Sequence, residues 1–336
     1  MIPAVDSVEP RDLPSRRIKE LLLSSWQLEV DRVAYARLGH GSYHWICERG
    51  GARAWFVTAD RLTEDRLAEL DGSARLAYTL SRSGHEYVVA PIPDRDGALI
   101  HSGVPGWAVQ VTPHIAGNST DHGASTEAGW SDPVEQRNIA RVIGRLHAFP
   151  APDYVPRWNP TPPYRAELEA ALGRIEDSTA TTHFVAQTRA LLREQRQFLA
   201  GLVDRYDGLV AAIQSDADPW VLTHGEPDSD NVIRTDDGAL LLIDWTTAAI
   251  APRERDLYDV FQGPSDVLHD YQLTAGNHQP RTHAMEMIGL HWRLSHVGHD
   301  LALLLSGAGA ADVSERAWTR LLQRLDRPPG AYAARF

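Results

Sequence analysis

Near residue 116 the apolar pattern of this chain changes period, and that change narrows the folds open to it. Before it, VAYARLG, YHWICER and ARAWFVTAD are short runs rich in β-branched and aromatic residues, separated by Gly-Ser and Gly-Gly turns, which predicts three strands. A short amphipathic helix is expected ahead of them, over residues 12–28. A second helix is expected in TEDRLAELDGSARLAYTLSRSG, where Leu67, Leu70, Leu76, Tyr78 and Leu80 recur at helical spacing and Gly84 closes the run. Two more strands, EYVVAPIP and GWAVQVTPHI, are expected around an Asp96-Gly97 turn. Residues 116–133 are polar and turn-rich, and from Pro133 onward the pattern becomes helical, interrupted by the short strand pair VIRTDDGALLLIDW. The expected organisation is a strand-rich part over residues 1–112, a linker over 113–133 and a mainly helical part over 134–336, which is an α+β arrangement.

Composition removes several function classes. No apolar run approaches the roughly 18–20 residues needed to cross a membrane. The N-terminus carries acids and prolines rather than a basic and then an apolar stretch, so no signal peptide is expected there. Cys47 is the only cysteine, so no intrachain disulfide can form, and a cytoplasmic location is the economical expectation. A net charge of −12 argues against nucleic acid and anionic membranes as partners and suits a cationic small molecule. Lys19 is the only lysine, and all other permanently basic side chains are arginines.

The stretch that carries chemistry is VLTHGEPDSDNVIRTDDGALLLIDWTTAAIAPRERDL, residues 221–257. His224-Gly-Glu226 is followed by Asn231, and an apolar run then ends in Asp244-Trp245. Phosphoryl transfer to a hydroxyl needs one carboxylate to orient or accept from the attacking OH, and an amide oxygen and a second carboxylate to hold magnesium on the phosphates. A short loop followed by a tight hairpin can bring three such groups together, and Glu226, Asn231 and Asp244 fit those roles in order.

These residues resemble the catalytic and metal loops of the aminoglycoside phosphotransferase family, a branch of the protein-kinase-like fold, and are most similar to its spectinomycin-phosphotransferase-like members. The family pattern is His-Gly-Asp, four residues, Asn, and then Ile-Asp before an aromatic residue. Ile143-Gly-Arg-Leu-His147 resembles the helix that precedes the catalytic loop, and Pro252-Arg-Glu-Arg-Asp256-Leu the segment that follows the metal loop. Leu38-Gly39-His40-Gly41-Ser42 lies where a phosphate-covering glycine loop belongs, between the first two strands.

The resemblance implies a bilobal kinase-like fold. It also implies Mg2+ with ATP or GTP as donor, held by Asn231 and Asp244, and transfer to a hydroxylated small molecule by a monomer or homodimer. Gly39, His40, Gly41, Ser42 and Thr58 are the nucleotide-side candidates. Glu226, Asp228, Trp245, Trp292 and His296 are the acceptor-side candidates, with Asp300, Tyr258 and Asp259 near them in sequence. His224, His147 and Asp256 are expected to brace the loops. Antibiotic inactivation is the leading expectation, with an aminocyclitol, aminoglycoside or nucleoside as acceptor. The alternatives are a catalytically weak nucleotide-binding protein and a sugar or amino-alcohol kinase of primary metabolism.

Three positions depart from the family pattern. Glu226 replaces the usual aspartate, one methylene longer. Asp228 stands where antibiotic kinases often carry histidine. The strand that should end in a phosphate-binding lysine reads Ala54-Trp-Phe-Val-Thr58-Ala-Asp60, so backbone N–H groups, Ser42, Thr58, His40, His44, Arg53 or Arg75 are the expected substitutes.

Overall fold

A computed structural model describes residues 8–38, 41–119, 130–174, 182–262, 266–307 and 309–326. Contacts divide the chain into two compact units. The first comprises Met1–Pro156, Leu222–Ile250 and Gly263–Gly276; the second comprises Arg157–Val221, Ala251–Gln262 and Asn277–Phe336.

The first unit is built on a five-stranded antiparallel sheet in the order β1-β2-β3-β5-β4: β1 (Arg32–Ala36), β2 (Tyr43–Arg49), β3 (Ala52–Arg61), β4 (His101–Val104) and β5 (Trp107–Pro113). Alternation along the strands divides it into two faces. Trp45, Cys47, Val57, Ala59, Trp107, Val109 and Val111 are buried together with Leu13, Ile18 and Leu22, the last two from helix α1 (Ser15–Trp26). Burying each of the valine, leucine and isoleucine side chains among them contributes about 1.5–3 kcal/mol. Burial also pushes the Cys47 thiol up to about 12, so it packs as a hydrophobe.

The opposite face carries Ala108, which packs with Leu70 and Ala74 of helix α2 (Glu64–Arg82). Helix α2 begins where Thr63 caps it by accepting from the Arg66 N–H. The two helices and first three strands match the sequence expectation.

EYVVAPIP does not form a strand of this sheet. Pro91 and Pro93 remove two ladder donors. What remains is a parallel bridge between Val88 and Leu242, in which Val89 N–H donates to Leu242 O and Leu242 N–H donates to Tyr87 O, and one bond from Ile92 N–H to Val111 O of β5 (2.7 Å). The Asp96-Gly97 turn does form, closed by Asp94, whose carboxylate accepts from the N–H groups of Asp96 and Ala98. The partner of β5 is instead HSGV, joined to it through Pro105-Gly106, with Gly106 at φ +78°.

Strand β6 (Gly117–Ser119) falls in the expected linker and pairs with β8 (Val232–Thr235), itself paired with β9 (Leu240–Leu242). The segment β7 (Val221–Thr223) pairs with β10 (Ala249–Ala251). Helix α3 (Pro133–Ala148) packs on α7 (Leu268–Ala275). Their approach is close enough that a Cβ at Gly144 would lie 2.7 Å from Tyr271 O.

The second unit is helical, as its sequence predicts: α4 (Arg165–Gly173), α5 (His183–Ser215), α6 (Glu254–Val260), α8 (Thr282–Ser306) and α9 (Ala311–Asp326). Helix α8 is contacted by all four others, so it is apolar on nearly every side. Glu254, fully buried, ties α6 to the start of α8 by accepting from Arg281 through its backbone N–H (2.9 Å), Nε (3.1 Å) and Nη2 (2.8 Å). Burial alone would raise the Glu254 pKa, but hydrogen bonds from His278 and Arg281 outweigh it and hold the carboxyl at about 2. Glu254→Ala is expected to destabilise the fold by about 3 kcal/mol, the low end for a broken buried pair, because Arg281 loses its buried partner but keeps Asp216 (3.0 Å) and Asp218 (3.6 Å). Urea unfolding at neutral pH measures this. The pKa is lowered from 4.5, so the contribution is complete above about pH 4.5 and fades as pH falls toward 2.

Among the described residues, no helix is long and apolar enough to cross a membrane.

Candidate active site

The loop between β7 and β8 is held rigid from within. His224, with no exposed surface, donates from Nε2 to Ile243 O (3.0 Å) and accepts at Nδ1 from the Glu226 N–H (3.4 Å). Both contacts are met by one neutral tautomer, so His224 braces the loop and has no need to move a proton. Its ring packs edge-on against Trp245 at 4.8 Å, and its carbonyl accepts from Thr247 Oγ1 (2.9 Å). Trp245 is 4 % exposed, so it offers an acceptor almost no surface and is taken up in this packing.

A short 3-10 turn over Ser229–Asn231 presents the amide. The Asp228 carboxylate caps it, accepting from the N–H groups of Asp230 (3.0 Å) and Asn231 (3.1 Å). Asp228 therefore supports the turn instead of pointing away from it on an open loop, whereas Asp230 is exposed. Burial pushes the Asp228 pKa up to about 6, and the Asp230 and Asp244 charges push the same way while the two N–H bonds oppose them.

Asn231 donates from Nδ2 to Glu226 O (3.0 Å), which leaves its Oδ1 as the acceptor the side chain can present to a cation. Ile243 N–H donates to Asn231 O (3.0 Å), so the strand that ends at Asp244 is stitched directly to the turn that carries Asn231. Asp244 itself adopts φ +58°, ψ +75°, a left-handed conformation that aspartate tolerates better than most residues, and its Oδ1 accepts from Thr246. Asn231 and Asp244 fit magnesium, which is held by one or two protein ligands together with phosphate oxygens.

The nucleotide-side candidates divide. Gly39 and His40 lie outside the described residues. Gly41 has φ +90°, the left-handed backbone a glycine loop uses. Ser42 Oγ donates to Asp60 Oδ1 (2.9 Å), and Thr58 Oγ1 hydrogen-bonds His44 Nδ1 (3.2 Å). His44 stacks on Phe56, and burial lowers its pKa against the raising fields of Asp60 and Asp244. His44 thus feels the charge of the Asp244 carboxylate, and Thr58 is hydrogen-bonded to His44.

Arg53 is exposed at the far end of β3, and Arg75 lies over the Tyr154 ring at 4.3 Å, so each has a place elsewhere. Sequence reasoning missed the pair that does occupy this face. Asp60, 5 % exposed, binds Arg66 of α2 through Nε (3.2 Å) and Nη2 (2.8 Å).

On the other side of the assignment, Trp292 and His296 do share a face of α8, stacked at 6.0 Å. Asp300 does not join them. It is fully buried and paired with Arg320 Nη2 (2.7 Å) and with Arg324, so it belongs to the α8–α9 core. Tyr258 and Asp256 are buried in α6. His147 is buried and hydrogen-bonds Tyr271 OH through Nδ1 (2.8 Å), which joins α3 to α7 as a bracing role requires.

An amide on a short turn, a carboxylate at the end of the neighbouring strand and a second carboxylate on the same loop are the kinds of group phosphoryl transfer draws on. The family model described as "Phosphotransferase enzyme family" matches residues 45–286, and the chain belongs to that family. Its α+β kinase-like fold is that of enzymes transferring phosphoryl groups to small-molecule hydroxyls. The chain is 29 % identical over 322 residues to Protein StrN of Streptomyces griseus, covering 90 % of this chain and 89 % of that one. It also resembles the solved structure of spectinomycin phosphotransferase in complex with ADP and spectinomycin, at a TM-score of 0.74 and 16 % identity over 94 % of this chain and 95 % of that one. A third likeness is to the GDP and kanamycin complex of an APH(2″) enzyme, with a TM-score of 0.60 and 15 % identity over 91 % and 97 % of the two chains.

Proposed function

We propose that this phosphotransferase moves the γ-phosphoryl group of a magnesium-bound nucleoside triphosphate, ATP or GTP, onto a hydroxyl of an aminocyclitol, aminoglycoside or nucleoside antibiotic, and so inactivates it. The observation that carries the reading is the stitching of the two loops: His224 Nε2 to Ile243 O, Ile243 N–H to Asn231 O and Asn231 Nδ2 to Glu226 O. Those bonds fix the backbones of Glu226, Asn231 and Asp244 relative to one another before any ligand arrives, which is the preorganisation transfer chemistry needs.

Magnesium supplies charge neutralisation on the phosphates, and Asn231 Oδ1 and the Asp244 carboxylate are the groups that would hold it. The Glu226 carboxylate orients the acceptor hydroxyl and takes its proton. Within the chain, residues 1–112 serve the nucleotide, 113–133 link, and 134–336 carry the two loops and the acceptor helices, with Trp292 and His296 on the acceptor side. The net charge of −12 favours an amine-bearing acceptor, and the relatives solved with spectinomycin and with kanamycin point to the same substrate class.

A second reading, a nucleotide-binding protein with little transfer activity, is favoured by one observation: the strand expected to supply the phosphate-binding lysine carries none, and the hydroxyl of its Thr58 is engaged by His44. Incubation with Mg-ATP or Mg-GTP and a panel of aminocyclitols, aminoglycosides, nucleosides, sugars and amino alcohols separates the two. The expected result is a mass gain of one phosphoryl group on an antibiotic acceptor. Nucleotide binding with no acceptor phosphorylated would sink the transfer reading and leave the binding one.

A further inference from the structure

The face of the five-stranded sheet away from α1 carries His44 on β2 and Thr58 and Asp60 on β3. In protein kinases a strand lysine on the equivalent β3 pairs with a glutamate of the following helix. In this chain the signs are exchanged. The carboxylate, Asp60, is on the strand, and the cation, Arg66, is in the first turn of the helix. We propose that Arg66, held in place by Asp60, is the cation that binds the phosphate chain of the donor nucleotide, an assignment that rests on the phosphotransferase reading above.

Three features of the pair carry this. First, position. Asp60 lies two residues beyond Thr58 on the same face, and it also accepts from Ser42 Oγ, at the end of the glycine loop. The guanidinium is therefore anchored at the point where the loop meets the sheet, on the face whose His44 feels the charges of both Asp60 and Asp244.

Second, donor capacity. A guanidinium has five N–H groups in a planar fork suited to phosphate. Nε and Nη2 bind Asp60, and Nη1 binds Glu69 Oε2 (2.9 Å), which leaves further donors on Nη1 and Nη2.

Third, the unequal strength of the two anchors. The Asp60 side chain is 7 % exposed, and its bonds orient the fork. Glu69 is 51 % exposed and one helical turn along α2, and such surface pairs contribute little, so phosphate oxygens can displace it at small cost. Arg66 itself keeps 30 % of its side-chain surface exposed. Asp60 is thus a positioning residue and Arg66 the binding one.

The test is calorimetric titration of wild type, Arg66→Gln, Arg66→Lys and Glu69→Gln with the magnesium triphosphate that the wild type binds, the matching diphosphate, and the free nucleoside. Arg66→Gln is expected to weaken triphosphate and diphosphate binding roughly 10- to 100-fold, as loss of charge-assisted hydrogen bonds implies, and to leave nucleoside binding unchanged. Arg66→Lys should recover part of the loss, and Glu69→Gln should tighten triphosphate binding by removing the competing negative charge.

Equal weakening of triphosphate and nucleoside would mean that the pair only holds α2 to β3, and would overturn the proposal. So would unchanged triphosphate affinity in Arg66→Gln. Glu69 is exposed, so its variant keeps the question decidable if Arg66→Gln does not fold; unchanged or weaker triphosphate binding there counts against Arg66. A wild type that binds no nucleotide refutes the phosphotransferase reading as well, whereas nucleotide binding indifferent to Arg66 refutes this inference alone.

Discussion

Asp244→Asn is expected to lower phosphoryl transfer by about 10³-fold or more and to remove the magnesium dependence of nucleotide binding, with the fold intact. Asn is the informative replacement. Asp244 sits at φ +58°, a conformation that costs most residues about 1–2 kcal/mol and that asparagine tolerates. An amide oxygen can also go on accepting from the Thr246 N–H, so the short turn over Trp245–Thr247 keeps its cap. What is lost is the negative charge, in a site where phosphate oxygens and metal must be balanced. Alanine at the same position should abolish transfer too, but with a separate stability penalty from the backbone. Nucleotide titrations with and without magnesium, beside single-turnover transfer rates, separate the two effects. Retained activity in Asp244→Asn, with ordinary magnesium dependence, would take Asp244 out of the site.

How far the sequence foretold the structure follows from which contacts are local. Helices α1, α2 and α3 and strands β1 to β3 were legible because period, caps and turn residues are short-range signals. EYVVAPIP was misread because apolar content suggested a strand while Pro91 and Pro93 denied it ladder donors. Strand β4 escaped notice because four residues with Gly103 in the middle carry almost no periodic signal. The proposed trio of Glu226, Asn231 and Asp244 could be singled out as a group because it lies on one loop and one hairpin close in sequence.

Asp60 and Arg66 could not be picked out in that way. Each is unremarkable in its own segment, and only the docking of α2 on the sheet makes them a pair. The one hint in the sequence is a period of two from Thr58 to Asp60, which puts an acid on the face where a phosphate-binding cation is expected. Asp300 failed for the converse reason. Helical phase gave its position on α8, but not that α9 covers it with Arg320 and Arg324.

Glu226 is the position where the departure from the family pattern bears most directly on turnover. Its N–H is held by His224 Nδ1 and its carbonyl by Asn231 Nδ2, so the backbone cannot drift to compensate for a change in side-chain length. Reach is then set by the side chain alone. Glu226→Ala is expected to reduce transfer by about 10²- to 10⁴-fold, the usual worth of a positioned general base. Glu226→Asp keeps the charge and loses one methylene, so it should retain part of the activity, with a deficit that reports the lost reach.

Nucleotide affinity provides the internal check. Glu226 is assigned to the acceptor hydroxyl and Asp244 to the metal, so the Glu226 variants should lower kcat while binding magnesium–nucleotide as the wild type does. If Glu226→Ala instead weakened magnesium–nucleotide binding in parallel with transfer, the carboxylate would belong with the metal ligands, and the base would have to be sought elsewhere on the loop. Asp228 would be the carboxylate to test next: its Oδ1 caps the turn that presents Asn231, so any proton transfer would have to run through Oδ2.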